Sequence, residues 1–361
     1  MKVSILGAGA GGVSAAVELH RAGHAPRLWN RSPDTLAGYV AAHGIHHGGM
    51  FGEGFTPLEL ITANLSAATH DADVLLVCLP TLAHGALARA LIEANVRDIP
   101  TVLNPGHTGG ALEFAQVYRE RGLRPPPTAE FSTLTYVARK VGADRVNITG
   151  RAKRVRVAAL PGGGAALERA LALYDCASAV DNVLVTSLCN VNLVLHPPGA
   201  VLGAAWIEAS AGNFTFYVEG LTDGVARVME RLDAERRAVA LALDFELPSL
   251  FEEMQAIGTI EPDVGSAGGL AAAVRGGEAN RSIKAPETFH HRYYQEDFWY
   301  GLQPFLALAA IAGVEVPTAR ALMHLGQLAA GKSAPPTGRT SAAMGIEGLD
   351  KGALLKFVRA A

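Results

Sequence analysis

The feature that most constrains this sequence is a glycine-rich turn near its start. Gly7-Ala8-Gly9-Ala10-Gly11-Gly12 fits the pattern G-x-G-x-x-G, follows the apolar run Val3–Leu6 and precedes the helical pattern Val13–Arg21. Glycines at these positions let the backbone turn tightly and approach a pyrophosphate, while the helix N-terminus offers free N–H groups. A strand before the motif and a helix after it raise the motif above a chance cluster. The turn predicts a dinucleotide-binding unit whose candidate cofactor ligands include Gly7, Gly9 and Gly12.

Alternating strand and helix patterns continue through the first half of the chain. Val74–Leu79 is a continuous apolar run, typical of a strand buried on both faces. Further strands are predicted at Pro26–Trp29, Thr101–Leu103, Thr128–Phe131, Arg145–Ile148 and Val155–Ala159. Helices are predicted between the earlier strands, at Leu82–Ala94 and Ala111–Arg121. This rhythm predicts a parallel sheet with helices on both faces.

Helical patterns dominate from residue 183 onward. Helices are predicted at Leu221–Phe245, Pro248–Ala256, Asp297–Ala312 and Pro317–Leu328, and Asp350 is predicted to cap a last helix through Val358. Gly258–Arg281 is predicted to be a loop with a weak helix in it, and Gly331–Arg339 a polar connector. We therefore expect an α/β fold, with an N-terminal Rossmann-type parallel-sheet domain at 1–182 and a mostly α-helical domain at 183–361.

Composition narrows the classes of partner. Charged residues make up 18% of the 361 residues and the formal net charge is −3, which argues against a broad electrostatic interaction with nucleic acid. The apolar run of about 18 residues that a membrane span requires is absent. The cysteines, Cys78, Cys176 and Cys189, are widely spaced and form no metal-binding pattern. We expect a cytoplasmic protein that binds small molecules and no metal.

The residues after the second predicted strand bear on the choice of cofactor. An acidic residue there would bind the ribose 2′-hydroxyl of NAD, but this chain has Asn30-Arg31-Ser32. Arg31 can pair with a 2′-phosphate, and Ser32 can donate a hydrogen bond to it. The three residues predict a preference for NADP. The alternative is that Arg31 is a solvated loop residue and that the protein accepts NAD as well.

A histidine lies just past the predicted domain boundary, in Asn192-Leu193-Val194-Leu195-His196-Pro197. Asn192 and His196 are four residues apart, so on a helix both side chains face the same way. Pro197 predicts that His196 sits at a helix end or in a break. Histidine titrates near neutrality and suits acid–base catalysis, although a lone histidine in an apolar stretch is more often structural. Asn192 would bind the substrate or the nicotinamide amide, or alternatively form a capping or core hydrogen bond.

A second polar cluster, Phe289–Asp297, combines cationic, aromatic and acidic side chains. Arg292 can hold a carboxylate through two parallel hydrogen bonds. Asp297 can orient a histidine and stabilise its protonated form. The alternative is a solvated helix start, with acidic residues near the N-terminus of a helix. The pair His290-His291 does not indicate a metal site, because adjacent side chains rarely reach one ion.

Several motifs together resemble those of the opine dehydrogenases, the family of octopine and nopaline dehydrogenase, and above all its bacterial members. The resemblance runs nearly from end to end of the chain. The Asn-Pro-Gly motif at residue 104 and the Asn-x-x-x-His-Pro motif at residue 192 are much more specific than the glycine fingerprint. The matching segments are Gly7–Gly12, Asn104–Phe114, Asn182–Leu188, Asn190–Pro197, Tyr217–Gly220, Asp233–Arg236, and Arg292-Tyr293 through Glu296-Asp297.

The resemblance implies a reaction and roles for residues. Opine dehydrogenases condense the amino group of an amino acid with a 2-oxo acid and reduce the imine with a nicotinamide cofactor. His196 matches the catalytic histidine, Asp297 its acidic partner, and Arg292 an arginine that holds a substrate carboxylate. A familiar bacterial pattern has an aspartate after the second strand, where this chain has Asn30-Arg31-Ser32.

Other residues complete the candidate site. Arg139, which follows the strand-like stretch Leu134–Val137, is a second candidate for a substrate carboxylate, or alternatively a surface arginine. The segment Asn104–Gly110 is expected to lie over the cofactor at the carboxyl edge of the sheet, with His107 a loop residue rather than a catalyst. The remaining candidate cofactor ligands are Pro80, Asn104 and Gly106.

Two other functions stay open at this stage. A ketopantoate-reductase-like enzyme shares the two-part architecture but usually presents a lysine as proton donor, and Lys284 is the lysine near the second cluster. A third hypothesis is a sensor that binds NADP(H) without turnover. Pyruvate is the 2-oxo acid that the resemblance suggests. The apolar pattern Pro317–Leu328 would suit a homodimer interface, although such stripes are more often core.

Overall fold

The computed structural model describes residues 1–260, 269–277, 280–281, 283–331 and 337–359. The chain divides into two units, one built from Met1–Gly106 and Gly110–Val183, the other from His107–Gly109 and Leu184–Ala360. The first unit is α/β and the second is mostly helical, so the predicted fold class is confirmed. Among the described helices, none combines the length and the apolar character needed to span a membrane.

The first unit is built on a large sheet whose strand order is β12-β11-β8-β7-β6-β1-β2-β5. Within the part β5-β2-β1-β6-β7-β8, neighbouring strands pair in parallel, in the order of a doubly wound dinucleotide-binding domain. The order reverses between β1 and β6, so ligands are expected at the carboxyl ends of these two strands. The strands of the unit are β1 (Lys2–Leu6), β2 (Ala25–Trp29), β3 (Gly44–Gly49), β4 (Gly54–Pro57), β5 (Leu60–Thr62), β6 (Val74–Val77), β7 (Thr101–Leu103), β8 (Thr128–Phe131), β9 (Tyr136–Lys140), β10 (Arg145–Arg151), β11 (Val155–Ala159) and β12 (Ala177–Ala179).

One edge of the sheet departs from the predicted parallel rhythm. β11 pairs antiparallel with β8, because no crossover helix lies between them in the chain. The chain instead forms the hairpin β9–β10, which belongs to a separate four-stranded sheet of order β4-β3-β10-β9. The strand predicted at Arg145–Ile148 is therefore present, but it belongs to the four-stranded sheet and not to the large one.

The helices of the first unit include three that sequence patterns do not predict, α2, α3 and α6. The start of α2 does carry a sequence signal, since Ser32 is its N-cap and Pro33 its first residue. The helices are α1 (Ala10–Arg21), α2 (Pro33–Ala42), α3 (Leu65–Thr69), α4 (His84–Glu93), α5 (Gly110–Arg119) and α6 (Gly164–Leu173).

The second unit contains the helices predicted for it. Asp350 caps the last helix, because its Oδ1 accepts a hydrogen bond of 2.8 Å from the backbone N–H of Ala353. The described part of Gly258–Arg281 contains one helix, while residues 261–268, 278–279, 282 and 332–336 lie outside the described residues. The helices are α7 (Val183–Leu188), α8 (Asn192–Leu202), α9 (Ala204–Ser210), α10 (Asp223–Ala242), α11 (Leu250–Ile257), α12 (Gly269–Gly276), α13 (Arg292–Gln295), α14 (Gln303–Ala312), α15 (Pro317–Ala330) and α16 (Lys351–Arg359), with a π-helical turn at Phe298–Leu302.

Helix α8 does not end at His196, so the predicted break is wrong. The helix continues through Pro197 and Pro198 to Leu202. Proline in a helix interior costs about 3 kcal/mol, because it lacks an N–H and crowds the preceding turn. The residues Leu193–Ala200 are all buried, and packing of α8 against α10 and α15 offsets that cost. His196 is consequently held in the middle of a packed helix.

A buried polar cluster on α10 ties the neighbouring helices together. The guanidinium of Arg236 donates to Asp233, to the carbonyl of Leu188 at the end of α7 and to the carbonyl of Pro248. The Glu235 carboxylate accepts the backbone N–H groups of residues 318 and 319 at the start of α15. The Asp-Ala-Glu-Arg motif thus satisfies polar groups at the end of α7 and at the start of α15. Both α10 and α15 pack against α8, the helix that carries His196.

Candidate active site

Three glycines at the end of β1 occupy different environments. Gly7 has φ +125°, and a Cβ there would lie 2.5 Å from the carbonyl oxygen of Cys78. A Cβ on Gly12 would lie 1.8 Å from the carbonyl oxygen of Gly7, so the close approach of α1 to β1 requires glycine. A Cβ on Gly9, the N-cap of α1, would meet nothing within 4 Å. This open space before a helix N-terminus fits the pyrophosphate of a dinucleotide.

The two glycines Gly9 and Gly12 give a matched pair of variants. Gly12→Ala is expected to lower the free energy of unfolding by about 1–3 kcal/mol or more, because its Cβ would overlap the Gly7 carbonyl. Gly9→Ala should leave thermal unfolding unchanged yet raise the Kd of the nicotinamide cofactor about tenfold, or about 1.4 kcal/mol. Calorimetry and fluorescence titration measure the two effects. Wild-type cofactor affinity in Gly9→Ala would contradict the predicted position of the pyrophosphate.

The predicted ribose-binding residues lie between β2 and α2. The side chain of Asn30 bridges two loops, since its Oδ1 accepts the backbone N–H of Ala8 at 3.3 Å and its Nδ2 donates to the carbonyl of Ser32 at 3.3 Å. Arg31 is exposed. The hydroxyl of Ser32 forms no capping hydrogen bond with α2. Asn30 therefore shapes the loop, while Arg31 and Ser32 present polar groups beside the start of a helix.

The other candidate cofactor ligands, Pro80, Asn104 and Gly106, differ in their exposure to solvent. Pro80 follows β6 at an exposed position, near the point where the strand order reverses. Asn104 is fully buried, and its amide donates to the hydroxyl of Thr135 at 3.0 Å. A Cβ on Gly106 would lie 2.1 Å from Oε2 of Glu130, the same oxygen that accepts the N–H of Ala111 at the start of α5. Asn104 and Gly106 thus hold the loop after β7 in place.

The second unit brings His196 and Asp297 together, although they are 101 residues apart in sequence. Nδ1 of His196 lies 2.6 Å from Oδ2 of Asp297, and both side chains are buried. α8 supplies the histidine, and the aspartate directly precedes the π-helical turn Phe298–Leu302. Such turns often occur at functional sites. The aspartate fixes the ring orientation, which leaves Nε2 as the nitrogen that points away from the carboxylate.

Aromatic side chains surround this pair. The ring of Tyr293 stacks on the imidazole of His196 with 3.8 Å between centroids, and Phe216 lies edge-on to the imidazole. The hydroxyl of Tyr217 is 2.7 Å from Nε2 of His196 and 3.4 Å from the hydroxyl of Tyr293. Both ring nitrogens of His196 therefore have a partner within the unit.

The pKa values of the pair are shifted in opposite directions. Burial lowers the pKa of His196 well below its usual range, and Arg292 lowers it further, whereas Glu296 raises it. Burial raises the pKa of Asp297 well above its usual range, and Glu296 adds to that effect. Each shift favours the uncharged form of its group. The two groups therefore titrate as one coupled pair, an arrangement that is common at enzyme active sites.

Charged groups next to the pair are linked by one carboxylate. Glu296 is buried, with Oε2 at 3.4 Å from Nε of Arg292 and Oε1 at 3.7 Å from Nε2 of His107. The side chain of Arg292 remains 53% exposed. His107 is buried, and its Nδ1 accepts a hydrogen bond of 3.2 Å from the amide of Asn190. His107 lies in the loop between β7 and α5, as expected, and its contacts with Asn190 and Glu296 are long-range in sequence. That it is not a catalyst stays a prediction.

The two remaining candidates for substrate contacts, Asn192 and Arg139, belong to different units. Asn192 begins α8, one turn before His196, so the two share a helix face as predicted. Arg139 belongs to the first unit, at an exposed position of β9, where its guanidinium donates to the carbonyl of Ala138. Its role in substrate binding stays a prediction. Across the part of the chain that the structure describes, no three His, Cys, Asp or Glu side chains cluster to hold a metal ion.

A doubly wound sheet with the glycine turn, joined in one chain to a helical unit carrying a buried histidine–aspartate pair, defines a nicotinamide-dinucleotide-dependent oxidoreductase. Residues 179–330 match the family model for the NAD/NADP octopine/nopaline dehydrogenase α-helical domain, and residues 3–104 match the ketopantoate reductase PanE/ApbA model. An opine dehydrogenase of Arthrobacter sp. (strain 1C) is 32% identical over 348 residues, covering 96% of this chain and 95% of that protein. A vitopine synthase of Allorhizobium ampelinum is 26% identical, covering 81% of this chain and 79% of that protein.

Solved structures with low sequence identity show the same fold. An octopine dehydrogenase in complex with NADH and agmatine superposes with a TM-score of 0.75 at 19% identity, covering 98% of each chain. A yersinopine dehydrogenase with NADP⁺ bound gives a TM-score of 0.68 at 16% identity, covering 99% of this chain and 97% of that one. The chain belongs to the opine dehydrogenase family, as its motifs predict. It is an NAD(P)-dependent oxidoreductase that acts on secondary amines.

Proposed function

We propose that this chain condenses an amino acid with a 2-oxo acid, pyruvate in the first instance, and reduces the product to a secondary amine bearing two carboxylates. The reverse oxidation uses the same groups. The observation that carries the proposal is the buried His196–Asp297 pair, whose Nδ1 and Oδ2 atoms lie 2.6 Å apart beside the aromatic rings of Phe216 and Tyr293. Imine reduction needs a proton donor for nitrogen as well as a hydride for carbon, and the pair can supply the proton.

The proposed roles follow from the geometry of each group. His196 gives a proton in the reductive direction and takes one in the oxidative direction, and Asp297 orients its ring. Arg292 binds a substrate carboxylate, because Glu296 engages its Nε while more than half of its side chain stays exposed. Asn192 and Arg139 are further candidates for substrate contacts. A bound nicotinamide cofactor supplies the hydride, held by the glycine turn and the loops that follow β2, β6 and β7.

The direct test is an oxidation assay with components left out one at a time. Purified protein receives NADPH or NADH, pyruvate and each standard amino acid in turn. Oxidation that requires both the oxo acid and the amino acid supports condensation and identifies the amine donor. Oxidation with the oxo acid alone would instead favour a plain 2-oxo acid reductase, and no turnover with any pair would contradict the proposal for these substrates.

NADP is the cofactor that we propose the chain prefers. Arg31 is exposed directly after Asn30, and Ser32 sits at the start of α2, so a cation, a hydroxyl and a helix N-terminus lie together. These groups suit a ribose 2′-phosphate. The acidic residue nearest to Arg31 in sequence is Asp34, in the first turn of α2, so none of the residues 30–32 that follow β2 carries a carboxylate.

Replacing Arg31 tests this preference. Arg31→Ala is expected to raise the KM for NADPH about tenfold or more while changing the KM for NADH little, because a charged hydrogen bond to phosphate is worth about 1.5–3 kcal/mol. Arg121→Ala, an exposed arginine just after α5 and far along the chain from this loop, is the matched control. Equal changes for the two cofactors would show that Arg31 does not contact a 2′-phosphate.

The alternative of a ketopantoate-type reductase has weaker support. The matching family model covers residues 3–104, a stretch that carries the glycine turn but neither His196 nor Asp297. Lys284, the lysine considered as a proton donor, is exposed with its ammonium 3.5 Å from Oδ1 of Asn213. Loss of the histidine–aspartate pair would have favoured a sensor without turnover, but both residues are present at hydrogen-bond distance.

A cytoplasmic location and a homodimer remain proposals. The cysteines at 78, 176 and 189 are free and buried, which suits a reducing compartment. Helix α15 buries one face and leaves Leu325 47% and Leu328 64% exposed on another. Two neighbouring exposed leucines on a helix support a subunit contact at this face.

A further inference from the structure

Tyr217 occupies the only ring nitrogen of His196 that Asp297 leaves available. Its hydroxyl oxygen lies 2.7 Å from Nε2, while Asp297 engages Nδ1 at 2.6 Å. A substrate atom can therefore reach the imidazole in one of two ways. Either Tyr217 moves away, or the proton passes through its hydroxyl.

The surroundings of Tyr217 favour the second way. The residue lies in a short turn closed by hydrogen bonds, since the backbone N–H groups of Glu219 and Gly220 both donate to the carbonyl of Thr215 at 3.0 Å. The Glu219 carboxylate also accepts from the backbone N–H and the hydroxyl of Thr215. The phenol ring is 6% exposed and packs against Phe216 with 5.1 Å between centroids. Its position is thus fixed from both the backbone and the side chain.

The state of the phenol also suits a relay. Burial raises the pKa of Tyr217 well above its usual range, so the phenol stays protonated across the working pH range. A protonated phenol can donate its own proton to one neighbour while its oxygen accepts a proton from a second neighbour. The hydroxyl of Tyr293, at 3.4 Å, gives the Tyr217 oxygen a second neighbour. The titratable and charged groups that act on Tyr217 are Tyr293, Arg292 and Asp297.

We propose that Tyr217 is a catalytic residue that relays the proton between Nε2 of His196 and the substrate nitrogen. This inference rests on the proposed reductive condensation. In the reductive direction, the Tyr217 O–H bond breaks as its proton bonds to the imine nitrogen, and the Nε2–H bond of the imidazolium breaks as that proton bonds to the Tyr217 oxygen. The net change is one proton from His196 to the substrate, while the nicotinamide cofactor is the source of the hydride. The oxidative direction reverses each transfer.

Tyr217→Phe tests the relay, because it removes the hydroxyl and keeps the ring. We expect kcat to fall about 100-fold, within the range of about 10²–10⁴ for acid–base groups, with the cofactor Kd and the thermal midpoint little changed. Tyr294→Phe is the matched control: Tyr294 is the next tyrosine after Tyr293, and its buried hydroxyl donates to the carbonyl of Ala200 at 2.7 Å, which is a structural contact. That variant should lose stability but keep kcat.

Two readouts separate a relay from a structural role. A proton inventory of kcat in mixtures of H₂O and D₂O should be curved for wild type, since two protons move, and linear for Tyr217→Phe. The ¹⁵N chemical shift of His196 Nε2 should change in Tyr217→Phe and stay fixed in Tyr294→Phe. If the phenylalanine variant does not fold, 3-fluorotyrosine at position 217 keeps the ring and alters the acidity of the phenol, so the solvent isotope effect should change.

The outcomes also distinguish the relay from the function on which it rests. Full kcat in Tyr217→Phe together with an inactive His196→Ala would overturn the relay and leave the condensation standing. An unchanged isotope effect with 3-fluorotyrosine would overturn it as well. Wild-type protein that fails to couple any amino acid to a 2-oxo acid would instead remove the proposed function.

Discussion

Replacing His196 with alanine is expected to lower kcat for reductive condensation by about 10²–10⁴-fold, the usual contribution of a positioned acid–base group. The change removes the ring that Asp297 orients at 2.6 Å and leaves no group to carry the proton to Tyr217. The Kd for the nicotinamide cofactor should stay within about twofold of wild type, because His196 lies in the second unit while the glycine turn belongs to the first. Initial rates and fluorescence titration measure the two quantities.

Two further variants guard this experiment against a folding defect. His196 is buried and stacked on Tyr293, so alanine leaves a cavity that lowers stability. His196→Gln fills more of the space and should be as inactive as alanine. His290→Ala, which removes an exposed histidine close to the same cluster, should keep wild-type kcat. Unchanged turnover in both His196 variants would remove this residue from the mechanism.

Replacing Asp297 with asparagine is expected to have the second largest effect, a fall in reductive kcat of about 10²–10⁴-fold. Asparagine removes the titrating carboxyl of the coupled pair, so the lowered pKa of His196 alone then determines how much of the enzyme is protonated. The alkaline limb of the reductive kcat profile should then move to lower pH, since less of the enzyme carries the transferable proton. Asp350→Asn, which removes an exposed carboxylate and keeps a residue able to cap α16, is the matched control.

The same variant makes a prediction about stability. A carboxyl whose pKa is raised in the folded protein contributes stability below its unfolded pKa of about 4 and loses that contribution as pH rises through the folded pKa. The free energy of unfolding of wild type relative to Asp297→Asn should therefore decrease as pH rises above about 4. Denaturant titrations at a series of pH values measure the difference. A constant difference across that range would show that the pKa of Asp297 is not raised.

The sequence predicts the fold well where hydrophobic pattern determines it. Val74–Val77 is buried at each residue and reads as a continuous apolar run, as expected for a central parallel strand. Gly44–Gly49 forms a strand despite three glycines and two histidines in six residues, because its neighbours β4 and β10 supply the pairing. No local pattern carries that information. The antiparallel β11 likewise depends on the intervening hairpin rather than on its own residues.

For the candidate site, the sequence identifies some of the residues but not the contacts between them. Motif positions identify His196 and Asp297 as residues to examine, but only the folded chain brings them to 2.6 Å across 101 residues. Tyr217 is 21 residues from His196, and its contact with Nε2 has no counterpart in any helical or strand spacing. His107 is hidden for the same reason, since its neighbours Asn190 and Glu296 lie far along the chain. Long-range polar contacts of this kind depend on how the elements pack in the folded chain. The helical or strand spacing of residues in the sequence does not reveal them.

The segment His107–Gly109 has a consequence for how such enzymes can be recombined. These three residues lie within the sequence of the cofactor half but belong structurally to the helical half, where Arg339 donates to the carbonyl of Thr108 and Ser187 contacts both Thr108 and Gly109. A chimaera that joins this helical half to a foreign cofactor half at residue 183 would place a foreign tripeptide among Asn190, Ser187 and Arg339. Gene fusions between relatives should therefore succeed when residues 107–109 are transplanted with the helical half, and natural sequences should vary the two in concert.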